Sequence, residues 1–191
     1  MRPKYLYIIC MCLFLVACGD VVTPKPRSYF RITLPEQKYE RFDTVAFPYS
    51  FEKSAASNVV ADKAEDAEPY WINIDYPSMK CKIHVTYKSL KNSDLDEALE
   101  DSRRLVYKHT IKADAIGESY FENDTDRVYG VLYQIKGNAA TPLQFSLTDS
   151  LAHLFRGSLY FYCKPNKDSL APVVAYLEDD VAHIMETFNW K

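Results

Sequence analysis

Between positions 70 and 87 the apolar and polar residues alternate strictly. Ile72, Ile74 and Tyr76 frame Asn73 and Asp75, and after Pro77-Ser78 the residues Cys81, Ile83, Val85 and Tyr87 alternate with Lys82, His84 and Thr86. A period of two is the signature of half-buried strands, and the Pro-Ser break between the runs predicts a hairpin. The period then changes. From Ser93-Asp94, the residues Leu95, Ala98, Leu99, Ser102, Leu105, Val106 and His109 recur at spacings of three and four. That is an amphipathic helix, with acids in its first turn and Arg103, Arg104, Lys108 and His109 near its end to complement the dipole.

Strands are expected at about 117–122, 127–136, 143–148 and 154–163. In the second, Tyr129, Val131, Tyr133 and Ile135 share one face while Val128 and Leu132 sit on the other. Apolar groups on both faces predict a central strand covered on both sides. A closing helix follows, with Ser169 as its cap and Pro172 in its first turn. Its stripe is Leu170, Val173, Val174, Leu177, Val181, Ile184 and Phe188. Before the alternating region, residues 29–51 read as an extended lead-in with a first strand near 47–52. Residues 53–68 (KSAASNVVADKAEDAE) carry few large apolar groups and read as a mobile surface loop. The expected fold is α+β: one domain in which a twisted antiparallel sheet packs with helices in an α/β/α arrangement. That order resembles the topology of the PsbP/Mog1-like fold, a likeness of fold that implies no function.

The chain's first 17 residues follow a different rule. Arg2 and Lys4 precede an uninterrupted apolar run from Tyr5 to Val16, and Leu15-Val16-Ala17-Cys18-Gly19 closes it. Twelve residues fall short of the ~20 that a helix needs to cross a bilayer, but they suit the core of a cleavable signal. Small residues just before a cysteine resemble a bacterial lipobox. In that reading residues 1–17 are a lipoprotein signal peptide, Cys18 carries a diacylglyceryl group and an acyl chain such as palmitate, and 18–28 is a tether. Pro24 and Pro26 hold that tether toward an extended form. Residues 29–191 are the globular domain. The protein is then expected at the cell envelope, lipid-anchored to the inner or the outer membrane, with its domain in the periplasm.

Without the first 17 residues the chain keeps 21 basic and 26 acidic side chains, a formal charge of −5 with histidines neutral. An acidic chain with no basic run is a poor partner for nucleic acid, so attachment rests on the acyl chains, each buried CH₂ of which contributes about 0.8 kcal/mol. Fifteen tyrosines against five glycines suit a well-packed β-rich domain. Past Cys18 the cysteines are Cys81 and Cys163. An oxidising compartment permits a disulfide between them, and two buried apolar thiols are the commoner arrangement.

No nucleophile elbow, phosphate loop, dinucleotide fingerprint or paired-histidine zinc motif occurs. His84, His109, His153 and His183 are scattered singly and read as structural. Ser146, Asp149 and His153 are too close in sequence to carry weight as a triad, whose members usually converge from separate segments. Glu178-Asp179-Asp180 superficially resembles a cation site, but helical side chains diverge, and a solvated face is the better reading. No enzyme activity, cofactor, metal or small-molecule substrate is therefore expected. The segment 137–145 (GNAATPLQF) joins two strands through small residues. Its Gly137, Asn138, Thr141, Pro142 and Gln144, with Arg156 interrupting the apolar run of the next strand, are candidate partner-binding residues.

These stretches also carry a resemblance. The segments 71–77 (WINIDYP), 105–116 (LVYKHTIKADAI), 137–145, 156–161 (RGSLYF) and 185–191 (METFNWK) together resemble the gliding-motility lipoprotein GldD family of the Bacteroidota. The likeness runs from the lipobox to the C-terminus and weakens over 53–68. It implies a membrane-anchored envelope lipoprotein supporting gliding and the associated type IX protein secretion machinery, whose partners are other envelope proteins of those systems. Lipidation carries over onto Cys18, and the family brings no assigned catalytic residues. In that phylum the triplets beginning at Asp43, Asp149 and Asp168 resemble an O-glycan acceptor pattern, which makes Thr44, Ser150 and Ser169 candidate acceptors. The leading expectation is a non-catalytic accessory or scaffold module. The alternative is an envelope lipoprotein that binds a small ligand or glycan, motivated by Tyr70-Trp71, Tyr160 and Tyr162.

Overall fold

The computed structural model of the chain describes residues 32–90, 95–108 and 113–191. The lipobox with Cys18, the tether, the helix opening at Ser93-Asp94 and His109 lie outside the described residues.

Among the described residues, ten strands and two α-helices follow one another as β1 (Tyr39–Phe42), β2 (Tyr49–Ser54), β3 (Asn58–Ala61), β4 (Ile72–Tyr76), β5 (Cys81–Ser89), α1 (Leu95–Tyr107), β6 (Ala113–Asn123), β7 (Val128–Gly137), β8 (Leu143–Thr148), β9 (His153–Phe161), α2 (Lys167–Glu186) and β10 (Asn189–Trp190). The class is α+β, as the periodicities imply. A seven-stranded sheet runs in the order β3-β4-β5-β9-β8-β7-β6, and a three-stranded sheet in the order β1-β2-β10. All described pairings are antiparallel.

The β4–β5 hairpin forms as the alternation predicts, through a single 3₁₀ turn at Pro77–Met79 whose Lys80 adopts a left-handed conformation. One face of the large sheet presents Ile72, Ile74, Ile83, Val85, Phe145, Leu147, Phe155 and Leu159. These pack with Val173, Leu177, Val181 and Ile184 of α2 and with Tyr49, Phe51 and Phe188 in the main core. Burying a side chain of this size stabilises the fold by about 1.5–3 kcal/mol. On the opposite face α1 packs Val106 against Tyr133 and Ile135, and Ala98 beside Leu90 and Leu154.

Four expectations are corrected. Residues 53–68 do not form one loop: β3 lies within them and pairs with β4, because Val59 and Val60 suffice for a short edge strand. Strand β7 is covered on both faces but is second from the sheet edge, and β8 and β9 lie nearer the centre. The last helix begins three residues earlier than expected. Asn166, not Ser169, is its N-cap and accepts the Ser169 N–H at 3.3 Å, which moves Pro172 from the first turn into the second. Finally, the lead-in and the C-terminus build a second small sheet that the sequence pattern of a single sheet does not contain.

Candidate functional site

The loop after β7 begins at Gly137, whose φ of 117° is a conformation that side chains with a Cβ rarely adopt. It is closed by the Ile135 N–H donating to the Pro142 carbonyl at 2.8 Å. Asn138 Oδ1 accepts the Lys167 N–H at 3.0 Å, and Lys167 Nζ pairs with Asp114 at 2.6 Å, so the loop is tied to the start of α2 and to β6. Between them lies a groove of about 330 Å³. Its walls include Ala139, Pro142, Leu143, Leu170 and Val174, and Lys136, Lys167, Asp168 and Glu178 line it with charge. Gln134 crosses one side to donate to Glu178.

The candidate partner-binding residues therefore divide into two sets. Gly137 and Pro142 line the groove and Asn138 anchors its rim. Thr141 and Gln144 are 0% and 1% exposed and cannot touch a partner. They belong instead to an internal chain in which Arg156 Nη2 donates to Gln144 Oε1 at 2.7 Å and Gln144 Nε2 donates to Thr141 Oγ1 at 3.0 Å. Ser158 adds a longer bond to the same Gln144 oxygen at 3.4 Å. Strand pairing brings this about, since Ser158 faces Gln144 and Arg156 faces Ser146 across β8 and β9. Two of the five segments of the family resemblance, 137–145 and 156–161, thus meet inside the sheet.

The suspected triad does not assemble. Asp149 Oδ1 accepts the backbone N–H groups of Leu151, Ala152 and His153, which holds its carboxyl below the usual range despite partial burial. His153 Nδ1 bonds the Tyr87 hydroxyl at 2.6 Å, and its ring stacks on Trp190. His84 lies beside Asp62 and Asn73, both at 3.3 Å, and burial outweighs the Asp62 charge to lower its pKa. His183 pairs with Glu52 at 2.8 Å. Each described histidine has a local partner that fixes its ring.

The acidic run on α2 is not a solvated face throughout. Asp179 is exposed, but Asp180 is 0% exposed. It falls on the buried stripe because it lies three and seven residues after Leu177 and Val173, a spacing visible in the sequence and missed because the residue is charged. Its Oδ1 accepts from the Tyr39 hydroxyl at 3.2 Å, and Tyr39 stacks on His183 at 3.6 Å. The hydroxyls of Ser54, Tyr76 and Tyr176, and Asp180 Oδ2 itself, are buried without hydrogen-bond partners. Burial raises the Asp180 pKa, and the hydrogen bond from the Tyr39 hydroxyl offsets part of that rise. Burial together with Asp180 raises the Tyr39 hydroxyl to about 12.

Cys81 and Cys163 are both free thiols, Cys81 buried and Cys163 exposed. The pair is therefore neither bridged nor jointly buried. Burial pushes the Cys81 thiol up to about 12, which keeps it unreactive. Of the candidate glycan acceptors, Thr44 and Ser150 are exposed in turns, while Ser169 is half-buried in the first turn of α2. Tyr70, Tyr160 and Tyr162 are exposed, whereas Trp71 lines a second cavity beneath α1.

Comparison with known proteins settles the family. The sequence pattern of the family described as gliding motility lipoprotein GldD matches residues 19–190. The chain belongs to that family. It is accordingly a gliding motility-related lipoprotein, associated with a membrane of the cell envelope. No curated protein matches it in sequence. In structure it is similar to cyanobacterial PsbP (CyanoP) from Synechocystis sp. PCC 6803, solved in solution, at 12% identity and a TM-score of 0.49 over 93% of this chain and 99% of that one.

Proposed function

We propose that this lipoprotein is a non-catalytic accessory or scaffold component of the gliding apparatus and the linked type IX secretion machinery. It is anchored through Cys18 with its domain in the periplasm, and another envelope protein seats in the groove between the β7–β8 loop and α2. The observation that carries this reading is the use made of the 137–145 segment. Its buried residues brace the loop from within, while its remaining residues shape a largely apolar concavity with a charged rim. Interface cores and rims have that character. The engagement of the described histidines in local contacts supports a role without catalysis.

Ala171 and Ala175 are exposed on α2 and line the groove, so bulk can be added there without disturbing the core. In cells lacking the native gene, the double variant Ala171→Arg, Ala175→Arg is expected to accumulate at the membrane yet fail to restore gliding and secretion. It should also lose crosslinks to envelope proteins. Full restoration with an unchanged crosslinking pattern overturns the groove as the docking site.

A further inference from the structure

Strand β9 carries a positive charge into the middle of the sheet. Arg156 stands opposite Thr86 of β5 and Ser146 of β8, and among the described residues no carboxylate lies within ion-pair distance of it. Its guanidinium donates to the neutral Gln144 side chain, and its Nε is buried with no partner. Removing a cation from water is costly unless it is paired as well as hydrogen-bonded. Burial accordingly lowers the Arg156 pKa. A neutral hydrogen-bond acceptor satisfies a donor but leaves the charge uncompensated.

Arg156 also lines a cavity of about 290 Å³ between α1, strands β5 and β9 and the segment that leads into β4. Thr86 and Ser102 supply hydroxyls there, and Trp71, Ala98, Leu105 and Leu154 supply apolar wall. Glu68, Lys88 and Asp101 line it as exposed residues. Asp101 is already paired with Arg104 at 2.7 Å. Two carboxylates near the opening disfavour a dianion, whereas a guanidinium suits a planar singly charged carboxylate.

We propose that the cavity beneath α1 is a binding site for a small organic carboxylate bearing a compact apolar group, its charge met by Arg156 and its apolar part by Trp71 and the inner face of α1. This site is separate from the groove at the start of α2, and its test does not depend on the motility role.

The test is calorimetric titration of the full chain, purified in detergent, with isovalerate as the probe and with isovaleramide and sulfate as comparators. Saturable isovalerate binding is expected below about 10 mM, with the uncharged amide at least about tenfold weaker. Arg156→Gln is expected to abolish it. Leu105→Trp, at an exposed helix position that fills the cavity without touching the sheet, is expected to abolish it as well and stands alone if Arg156→Gln does not fold. Absence of saturable isovalerate binding overturns the site. So do equal binding of the amide, binding that survives Leu105→Trp, and binding of sulfate in preference to isovalerate.

Discussion

At the scale of single residues, Asp180 shows how a charge is placed against the ordinary logic of burial. Its folded carboxyl has a raised pKa, caused first by burial. A carboxyl whose pKa is higher folded than unfolded stabilises the fold when protonated, and that contribution is lost as pH rises through the folded pKa. Asp180→Asn keeps an acceptor for Tyr39 and removes the charge. The variant is expected to melt roughly 2–4 °C higher than wild type at pH 7, with the gap closing toward pH 4 in a series of thermal melts. Gly157 gives the opposite case. A Cβ there would lie 2.2 Å from a ring carbon of the buried Phe145. Gly157→Ala is expected to destabilise by about 1–3 kcal/mol in chemical denaturation. Neither role could be read from the sequence, since a helical aspartate and a strand glycine each acquire meaning only from a neighbour remote in the chain.

The elements themselves were legible wherever the period was long and unbroken. The β4–β5 hairpin, the four strands from β6 to β9 and the stripe of α2 all lie where alternation or helical spacing puts them. What failed was local and short. Strand β3 has four residues, too few for a period to show against a charged background, and β10 has two. The start of α2 was misplaced because Asn166 and Ser169 are both good caps by type, and only geometry distinguishes acceptor from donor. The two substitutions separate them. Asn166→Ala is expected to cost about 1 kcal/mol of unfolding free energy, and Ser169→Ala much less, because Ser169 contributes a backbone N–H that alanine retains.

For the molecule as a whole, the sequence reached the fold class and the family, but neither the contact of Gln144 with Arg156 inside the sheet nor the cavities. A cavity is defined by what several elements leave unfilled, and no single stretch encodes it. Thr141 and Gln144 are buried although the sequence suggests a partner surface, since a polar residue at a loop or strand start looks the same whether it braces the loop or is presented by it. The anchor belongs to this scale too. Cys18→Ala is expected to leave the domain folded and to release the protein from the membrane fraction, with circular dichroism and fractionation as the two measurements. Full membrane retention would overturn the role given to Cys18.

The seat of Tyr39 has a mechanical consequence. The chain running from Cys18 enters the seven-and-three-stranded fold at β1, which pairs with β2 alone over four residues. With the anchor proposed at Cys18, traction on the domain is met first by Leu34, which packs on the main core, and by Gln37, which donates to Asp179, and then by that short strand. The Tyr39 hydroxyl on Asp180, its ring on His183, and Arg41 donating to the Thr187 carbonyl at 3.2 Å hold β1 against α2 and the chain just beyond it. If the anchor proposed at Cys18 carries load, these side chains resist the lifting of β1 away from α2.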